Sequence, residues 1–403
     1  MNIQEKNIFW YYNINKEQEW NEQNTFPSVT DLGQLKLVIQ QEQQMLYAAK
    51  PYQTVLLRHR PDKDFMNYLH TNGVEIPQIE FINDLEDFKK IRSVKQNGET
   101  DLLVPYIVTE DTMPYNYFNC DYKLVKKLNN KFYVRELLLE KGITTTRGAF
   151  CHNTAEILDA YSHLQNEGFN KFVFKIPFGS SGKGLKVVKN ERELSLFIKF
   201  INRRSQDFRI LLEGWHTIKH NLNSQILITD KVELLLITEQ RITEDGMYLG
   251  TNFSPNFSNE LVENYSNQIL KIGELIKQMG YKGILGIDSI IDSDNILYPV
   301  VEINARFTQV TYLYHLVNKI KKLKFQFIES RFIRFESSSD VQFNEIKQYI
   351  DNQSKTDYFI YCYAKEKLKN KTLYRVFILF YTNDKATLDS TVSNFNYKSV
   401  IKV

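Results

Sequence analysis

Two consecutive stretches decide the fold, namely Gly283-Ile-Leu-Gly-Ile-Asp288-Ser-Ile-Ile-Asp292 and Ile296-Leu-Tyr-Pro-Val-Val-Glu302-Ile-Asn304, and the second continues into Ala305-Arg306. Both are rich in the β-branched residues typical of strands, and the residues Ser293-Asp294-Asn295 separate them. This spacing predicts a β-hairpin with a three-residue loop in which Asn295 takes the left-handed conformation. Such a loop would place Asp288 opposite Val300 across the hairpin.

The polar residues of this hairpin predict a metal site. Side chains on one face of a strand recur every second residue, so Glu302 and Asn304 are expected to share a face with Asp288. Carboxylate and amide oxygens suit Mg²⁺, and Mn²⁺ could replace it. Arg306, if the strand continues, either neutralises the carboxylates or holds a substrate carboxylate through two hydrogen bonds. The alternative is a charged, solvent-facing sheet edge, although Glu302 lies between Val301 and Ile303, and Asp288 follows Ile287.

A glycine-rich loop lies between two strand patterns in residues 171 to 188. Glycines lack the Cβ atoms that would keep backbone N–H groups away from a phosphate, and the interleaved serines and lysine add donors. The loop comprises Gly179, Ser180, Ser181, Gly182, Lys183 and Gly184. It is not a Walker A loop, because no hydroxyl residue follows Lys183. The next helix begins only after the second strand, at Asn190, so we expect a hairpin flap over a nucleotide; an ordinary mobile turn is the alternative.

Two lysines are placed where an anion would stabilise them. Lys175 lies within an apolar strand, where its charge is costly unless a counter-charge meets it, and bound phosphate would supply one. Lys131 begins a helix that Asn130 can cap and Gly142 can end, so its charge opposes the helix dipole unless an anion binds there. Taken alone, Lys131 is more simply interpreted as a solvated surface lysine.

Length and composition exclude several classes of protein. With 403 residues, the chain is expected to form two to three domains, and 42% hydrophobic residues are enough for a sizeable core. The net charge of +3 is too small for a dedicated nucleic-acid binder. Three widely spaced cysteines favour a reducing compartment, and no apolar run is long enough to span a membrane. We therefore expect a cytoplasmic protein without nucleic-acid or membrane partners.

The pattern of strands and helices predicts an α/β and α+β protein. Residues 1–122 alternate short strands with helical patterns, which is typical of an α/β domain. The helical pattern Leu35 to Ala49 contains Gln40-Gln41-Glu42-Gln43-Gln44, which we interpret as a solvated helix face. Two further units are predicted at 123–210, with the flap, and at 211–330, with the metal hairpin. Residues 331–403 are predicted to form a small C-terminal α/β appendage.

Together, the lysines, the flap and the run Glu302-x-Asn304-x-Arg306 after Asp288 resemble the ATP-grasp superfamily over about residues 123 to 320. This resemblance implies two α+β lobes that clamp ATP, preceded by a Rossmann-like pre-ATP-grasp domain. It also implies a reaction in which a carboxylate is phosphorylated by ATP and a nucleophile then displaces phosphate from the acyl phosphate.

The resemblance assigns expected roles residue by residue. Lys131 and Lys175 resemble the two phosphate-binding lysines, Gly179 to Gly184 the flap, and Asp288, Glu302 and Asn304 the magnesium ligands. Arg306 resembles the group that steadies the reacting carboxylate, and Arg241 a further phosphate contact. Glu213, Gly214 and Trp215 resemble the linker beside the adenine. His220 takes the ribose position, where many members have an acidic residue, and Asn221 follows it.

The expected function is an ATP-dependent carboxylate–amine ligase that joins amino acids or peptides through an acyl phosphate and releases ADP and phosphate. The alternatives are transfer of an aminoacyl group to a carrier-protein thiol, modification of a protein, and, in a different class, a catalytically silent nucleotide-binding regulator. We expect small-molecule amino acid or peptide substrates. A homodimer is expected only because dimers are the commonest soluble assembly.

Overall fold

The computed structural model describes residues 7–21, 31–93, 101–179, 184–204, 208–244 and 246–395. The first part of the chain forms a parallel sheet in the order β3-β2-β1-β4, with helices between its strands. Strands β1, β2 and β4 are mostly buried, as expected where both faces of a parallel sheet are covered, whereas the edge strand β3 is partly exposed. The expected Rossmann-like domain is thus confirmed. Its elements are β1 (Ile8–Tyr11), α1 (Leu32–Ile39), β2 (Thr54–Leu57), α2 (Lys63–Thr71), β3 (Gln78–Phe81), α3 (Leu85–Ser93) and β4 (Leu102–Pro105).

Three short 3-10 helices belong to the same region. They span Lys16–Trp20, Gln40–Tyr47 and Met113–Tyr115. We call the first, together with Asn21, the bridging turn, and the second the glutamine helix. The predicted single helix from Leu35 to Ala49 is therefore two helices, since α1 ends at Ile39 and the glutamine helix follows it directly.

The second part of the chain forms an antiparallel sheet in the order β5-β8-β6-β7, with its own hydrophobic core around Phe174, Phe197 and Leu212. Asn130 caps α5 by accepting from the backbone N–H groups of Phe132 and Tyr133, as its sequence predicts. The elements are α4 (Tyr122–Asn129), α5 (Lys131–Glu140), β5 (Gly148–Cys151), α6 (Thr154–Asn166), β6 (Phe172–Lys175), β7 (Leu185–Val188), α7 (Glu191–Arg204) and β8 (Ile210–Gly214).

The third part forms an eight-stranded antiparallel sheet in the order β13-β12-β9-β10-β11-β14-β16-β15. Its elements are β9 (Ile218–Ile228), β10 (Val232–Ile242), β11 (Tyr248–Asn252), α8 (Asn259–Gln278), β12 (Gly283–Asp292), β13 (Leu297–Asn304), α9 (Gln309–Lys322), β14 (Phe327–Ser337), α10 (Phe343–Gln353), β15 (Asp357–Lys367), β16 (Thr372–Thr382) and α11 (Lys385–Asn394). One buried cluster runs from Trp10 of β1 through Leu285 of β12 to Ile360 of β15, so the first and third parts share a core.

The C-terminal segment is not the separate appendage that the sequence suggests. The expected boundary between residues 330 and 331 falls inside β14, and β14, β16 and β15 continue the large sheet. The strands themselves were predictable, because Tyr358 to Ala364 and Leu373 to Tyr381 lie within β15 and β16. Sequence patterns identify strands locally, whereas which sheet they join depends on contacts with β11.

The glutamine helix is buried, so its interpretation as a solvated face is wrong. Gln40, Glu42, Gln43 and Gln44 are all less than 10% exposed. The side-chain amide of Gln43 exchanges two hydrogen bonds with the backbone of Tyr363 on β15, at 2.9 and 3.0 Å. Gln40 does the same with the backbone of Lys365. The polar side chains thus replace a missing neighbouring strand at the edge of the large sheet.

In the part of the chain that the structure describes, no helix is both long and apolar enough to cross a bilayer.

Candidate active site

Asp288 and Glu302 lie directly opposite each other on β12 and β13. The expected pairing of Asp288 with Val300 is therefore wrong. Near the loop the predicted register holds, since Ile290 faces Tyr298 and Asn295 has a φ of 63°. The register then shifts between Asp288 and Ile290, and this irregularity brings the two carboxylates onto neighbouring positions of one face.

Asp288 is surrounded by amide groups rather than by cations. Its Oδ1 accepts from Asn223 and from Gln240, both at 2.7 Å, and its Oδ2 accepts from Asn304 at 3.1 Å. Burial and the neighbouring charge of Glu302 nevertheless raise the pKa of Asp288 to about 6. Two adjacent carboxylates with this unbalanced charge, plus an amide, form a donor set that fits a divalent hard cation.

Sequence reasoning missed the amide residues on the same face. Asn223 and Gln225 lie on β9, and Gln240 lies on β10. Gln225 donates to Asn223 at 2.7 Å and accepts from Thr308, the capping residue of α9, at 3.0 Å. The alternation Asn221-x-Asn223-x-Gln225, which leads into the apolar run Ile226 to Ile228, was the available signal, because polar residues at every second position share a face.

Lys131 joins the flap to the carboxylate hairpin. Its Nζ lies 2.8 Å from the carbonyl oxygen of Gly179 and 3.0 Å from Oε1 of Glu302. The residue is buried, so Lys131 is not the solvated surface lysine that its sequence position alone suggests. From the start of α5, the side chain thus extends between the sheet that contains β6 and the sheet that contains β13.

Lys175 has a protein counter-charge. Its Nζ lies 2.5 Å from Oε2 of Glu213, whose other oxygen accepts from Arg135 at 2.7 Å and from Thr146 at 2.6 Å. Burial alone would raise the pKa of Glu213, but Lys175 and Arg135 lower it below its ordinary value. Arg135 lies one helical turn after Lys131 on α5, and sequence reasoning did not single it out.

Arg306 is held by the first domain. Its Nε donates to Glu17 Oε2 at 2.7 Å, its Nη2 lies 3.5 Å from Glu17 Oε1, and its guanidinium lies over the ring of Tyr106 at 5.2 Å. Although burial disfavours the charged form, Glu17 raises the pKa of Arg306. Glu17 gives no sequence signal, because it lies almost 300 residues away from its partner.

The flap is an antiparallel hairpin of β6 and β7, as predicted, and α7 follows it. Ser180, Ser181, Gly182 and Lys183 lie outside the described residues. Gly184 has a φ of 86°, which favours glycine, and a Cβ there would meet the carbonyl oxygen of Phe178 at 3.1 Å.

The linker residues Gly214 and Trp215 continue from β8. The Gly214 N–H donates to the carbonyl of Arg147, and the Trp215 N–H donates to the carbonyl of Lys171. The Trp215 side chain is partly exposed, with the Lys171 ammonium 5.8 Å from the centre of its ring.

His220 and Arg241 are not brought together with Asp288. Asn221 and Gln240 lie on the same face of the sheet as Asp288. His220 and Arg241 are their immediate neighbours in the sequence, and side chains of adjacent strand residues point to opposite faces. They lie on the opposite face of the sheet, where both contact Glu239, at 3.3 and 3.0 Å. Arg241 also donates to the buried Glu329. Their expected contacts with ATP are corrected for this reason.

Known proteins with related sequences identify the family. The chain is 38% identical over 387 residues to the [butirosin acyl-carrier protein]--L-glutamate ligase of Niallia circulans, covering 93% of this chain and 90% of that protein. A family model described as an ATP-grasp domain matches residues 129–310. The chain belongs to the ATP-grasp ligases.

Solved ATP-grasp structures share the fold over almost the whole chain. N5-carboxyaminoimidazole synthetase from Staphylococcus aureus, complexed with ADP, has a TM-score of 0.59 at 14% identity and covers 97% of this chain and 96% of its own. Phosphoribosylamine–glycine ligase from Thermotoga maritima has a TM-score of 0.57 at 11% identity, with coverages of 89% and 94%. These structures show that the fold includes a domain before the ATP-grasp lobes, and the sequence relationship identifies the chain as an ATP-dependent ligase.

Proposed function

We propose that this ATP-grasp ligase activates the carboxylate of an amino acid with ATP and transfers the aminoacyl group to a carrier protein. The observation that carries the chemistry is the position of Lys131, which contacts both the base of the flap and Glu302 of the hairpin. A phosphate placed beside this lysine would lie between the flap and the carboxylates. The name of the 38% identical relative, which specifies an acyl-carrier protein and L-glutamate, supports the choice of acceptor.

Lys131 and Lys175 are proposed to bind the phosphates of ATP. Both are buried, and both are already charged partners of carboxylates, namely Glu302 and Glu213. When nucleotide binds, Lys131 is proposed to exchange Glu302 for a phosphate oxygen, while Lys175 keeps Glu213 and adds a phosphate contact. The exchange costs little because one charge-assisted hydrogen bond replaces another.

Asp288, Glu302 and Asn304 are the residues proposed to hold Mg²⁺. Asn304 donates its amide N–H to Asp288, so a rotation of that amide about its last side-chain bond would present its oxygen instead. Bound Mg²⁺ would neutralise the phosphates and stabilise the charge on the transferred group. Asn223 and Gln240 would continue to orient the Asp288 carboxylate from the sheet side.

Arg306 is proposed to hold the reacting carboxylate. A carboxylate oxygen attacks the γ-phosphorus of ATP, the bond to the β-phosphate oxygen breaks, and ADP leaves an acyl phosphate. The acceptor then attacks the carbonyl carbon, loses its proton and releases phosphate. The flap is proposed to exclude water from the acyl phosphate, which would otherwise hydrolyse.

The test is product analysis with carrier proteins. The enzyme is incubated with ATP, Mg²⁺, each amino acid in turn, and an acyl-carrier protein with or without its thiol-bearing arm. We expect ADP and phosphate, a carrier mass increased by one aminoacyl group only when the arm is present, and release of that group by neutral hydroxylamine. A hydroxylamine-stable product on a free amino acid would instead indicate the carboxylate–amine ligase. Formation of AMP and pyrophosphate would overturn the acyl-phosphate route.

A further inference from the structure

The bridging turn contacts two parts of the site that belong to different sheets. On one side, Glu17 pairs with Arg306 at the end of the carboxylate hairpin, and both side chains are about 95% buried. Arg306 N–H groups therefore meet a carboxylate of the N-terminal domain before any substrate binds.

On its other side, the same turn holds the base of the flap. The Asn21 side-chain amide donates to the carbonyl of Phe178 at 2.9 Å and accepts from the Phe178 N–H at 3.2 Å. The Trp20 ring packs against the Phe178 ring with centroids 5.5 Å apart. This pair of bonds fixes the Phe178 backbone immediately before Gly179, whose carbonyl accepts from Lys131.

We propose that Glu17 and Asn21 are positioning residues that set the distance between Arg306 and the base of the flap. The five residues from Glu17 to Asn21 connect Arg306, the group proposed to bind the reacting carboxylate, with the base of the flap at Phe178. Neither residue takes part in bond making. Their effect is geometric, and a misplacement of about 1 Å between reacting groups costs on the order of 10²-fold in rate.

A positioning role for Glu17 and Asn21 predicts a different effect on ATP consumption from a purely structural role. A loosened flap base admits water to the acyl phosphate, so ATP is consumed without product. A structural defect would instead lower stability and all activities together. The ratio of ADP released to aminoacyl product therefore reports positioning, and this readout rests on the proposed function.

The variants are Glu17→Gln, which removes the charge of the pair, and Asn21→Leu, which removes both bonds to Phe178 at similar size. Glu17→Asp tests rescue by a retained charge. Glu19→Gln is the matched control, because Glu19 lies on the same turn and its exposed carboxylate pairs only with Lys16 among the contacts described.

We expect kcat to fall about 10- to 100-fold in Glu17→Gln and Asn21→Leu, with ADP released in excess of product and the affinity for MgADP unchanged within about twofold. Glu17→Asp should recover part of the loss, and Glu19→Gln should match the wild type. Wild-type coupling in both variants, or a loss of MgADP binding together with a lowered Tm, would overturn the proposal.

A second readout needs no knowledge of the substrate. Hydrogen exchange of a peptide covering residues 172–179, measured with MgADP bound, should be faster in Asn21→Leu because the Phe178 N–H loses its acceptor. Unchanged hydrogen exchange of this peptide would contradict the proposal that Asn21 holds the base of the flap. If the wild-type enzyme acylates no carrier, the proposed function fails, whereas this exchange measurement still decides the role of Asn21.

Discussion

Residue by residue, the site is a set of charges that balance each other without ligands, apart from Asp288. Lys131 pairs with Glu302, Lys175 with Glu213, and Arg306 with Glu17. Asp288 is hydrogen-bonded only to amides among the described residues. Burial, and after it the charge of Glu302, raises the pKa of Asp288 to about 6. A divalent cation would supply the missing charge.

Replacing Glu302 by Gln should abolish turnover while the fold is preserved. The amide keeps an oxygen for Lys131 but offers a metal no charge, so we expect kcat to fall by at least about 10³-fold. Steady-state release of ADP measures the loss. Asp294→Asn, an exposed carboxylate in the loop of the same hairpin, is the control and should retain activity. Turnover close to wild type in Glu302→Gln would contradict the metal assignment.

The pKa of Asp288 predicts a pH-dependent stability. Because the folded protein raises this pKa from 3.8 to about 6, its contribution to stability is present below pH 4 and is lost as the pH rises through 6. In metal-free buffer, the Tm of Asp288→Asn relative to wild type should therefore increase between pH 4 and pH 7.5. The difference corresponds to on the order of 1–3 kcal/mol.

Thermal unfolding at several pH values in the presence of a chelator measures this difference. Added Mg²⁺ should raise the Tm of the wild type and have a smaller effect on the variant, because bound ligand stabilises only the folded state that binds it. A Tm difference that stays constant with pH would show that Asp288 is not the titrating group.

At this scale, the sequence predicts site residues that lie within one hairpin. It does not predict which face a side chain takes when that depends on pairing between distant strands. Asp288, Glu302 and Asn304 were predictable from alternation within one hairpin. The family resemblance implied ATP contacts for His220 and Arg241. The pairing of β9 with β12 and of β10 with β9 instead places both side chains on the face opposite Asp288. Glu17 could not be found, since only the folded chain brings it to Arg306.

Among the elements, the glutamine helix differs most from its prediction, because the sequence indicates a solvated face and the structure buries it. A run of Gln and Glu is typical of a solvated surface, yet here the amides pair with the backbone of an edge strand. The amide group of Gln carries both a donor and an acceptor, which is what an edge residue of a sheet leaves unpaired. The tertiary partner determines whether such a run is buried.

Replacing Gln43 by Leu should destabilise the protein by about 1–3 kcal/mol, because the backbone N–H and C=O of Tyr363 would be left buried without partners. Gln44→Leu is a matched control on the same helix. Gln44 is equally buried, and its Oε1 has no hydrogen-bond partner among the described residues, so this variant should be neutral or stabilising. Urea unfolding compares the two, and equal destabilisation would contradict the edge-pairing role.

For the whole molecule, the resemblance to the ATP-grasp superfamily predicts a Rossmann-like domain followed by two lobes, and the structure contains three sheets among its described residues. Several strands of these sheets were predictable from local sequence patterns. The shared core of the first and third parts was not, since it depends on contacts between residues 10–60 and residues 280–380. The C-terminal segment closes that core.

A chain that ends at residue 330 should therefore fail to fold. It would lose most of β14 and all of β15 and β16, leaving the remainder of β14 at the edge of the sheet and the glutamine helix without its partner strand. We expect aggregation in size-exclusion chromatography and loss of MgATP binding. A chain ending at Phe395, which keeps every described element, is the control. A monomeric, ATP-binding product from the shorter chain would support an independent appendage after all.

The bonds between Gln43 and Tyr363 also constrain biosynthesis, because 320 residues separate their two ends. At translation rates of about 5–20 residues per second, Gln43 leaves the ribosome roughly 16–60 s before its partner is made. During that interval the polar side chains of the glutamine helix are exposed to solvent in the nascent N-terminal domain, whereas in the complete chain they are buried against β15. Slow codons or chaperone binding between these two points would therefore affect the yield of this ligase more than its final stability.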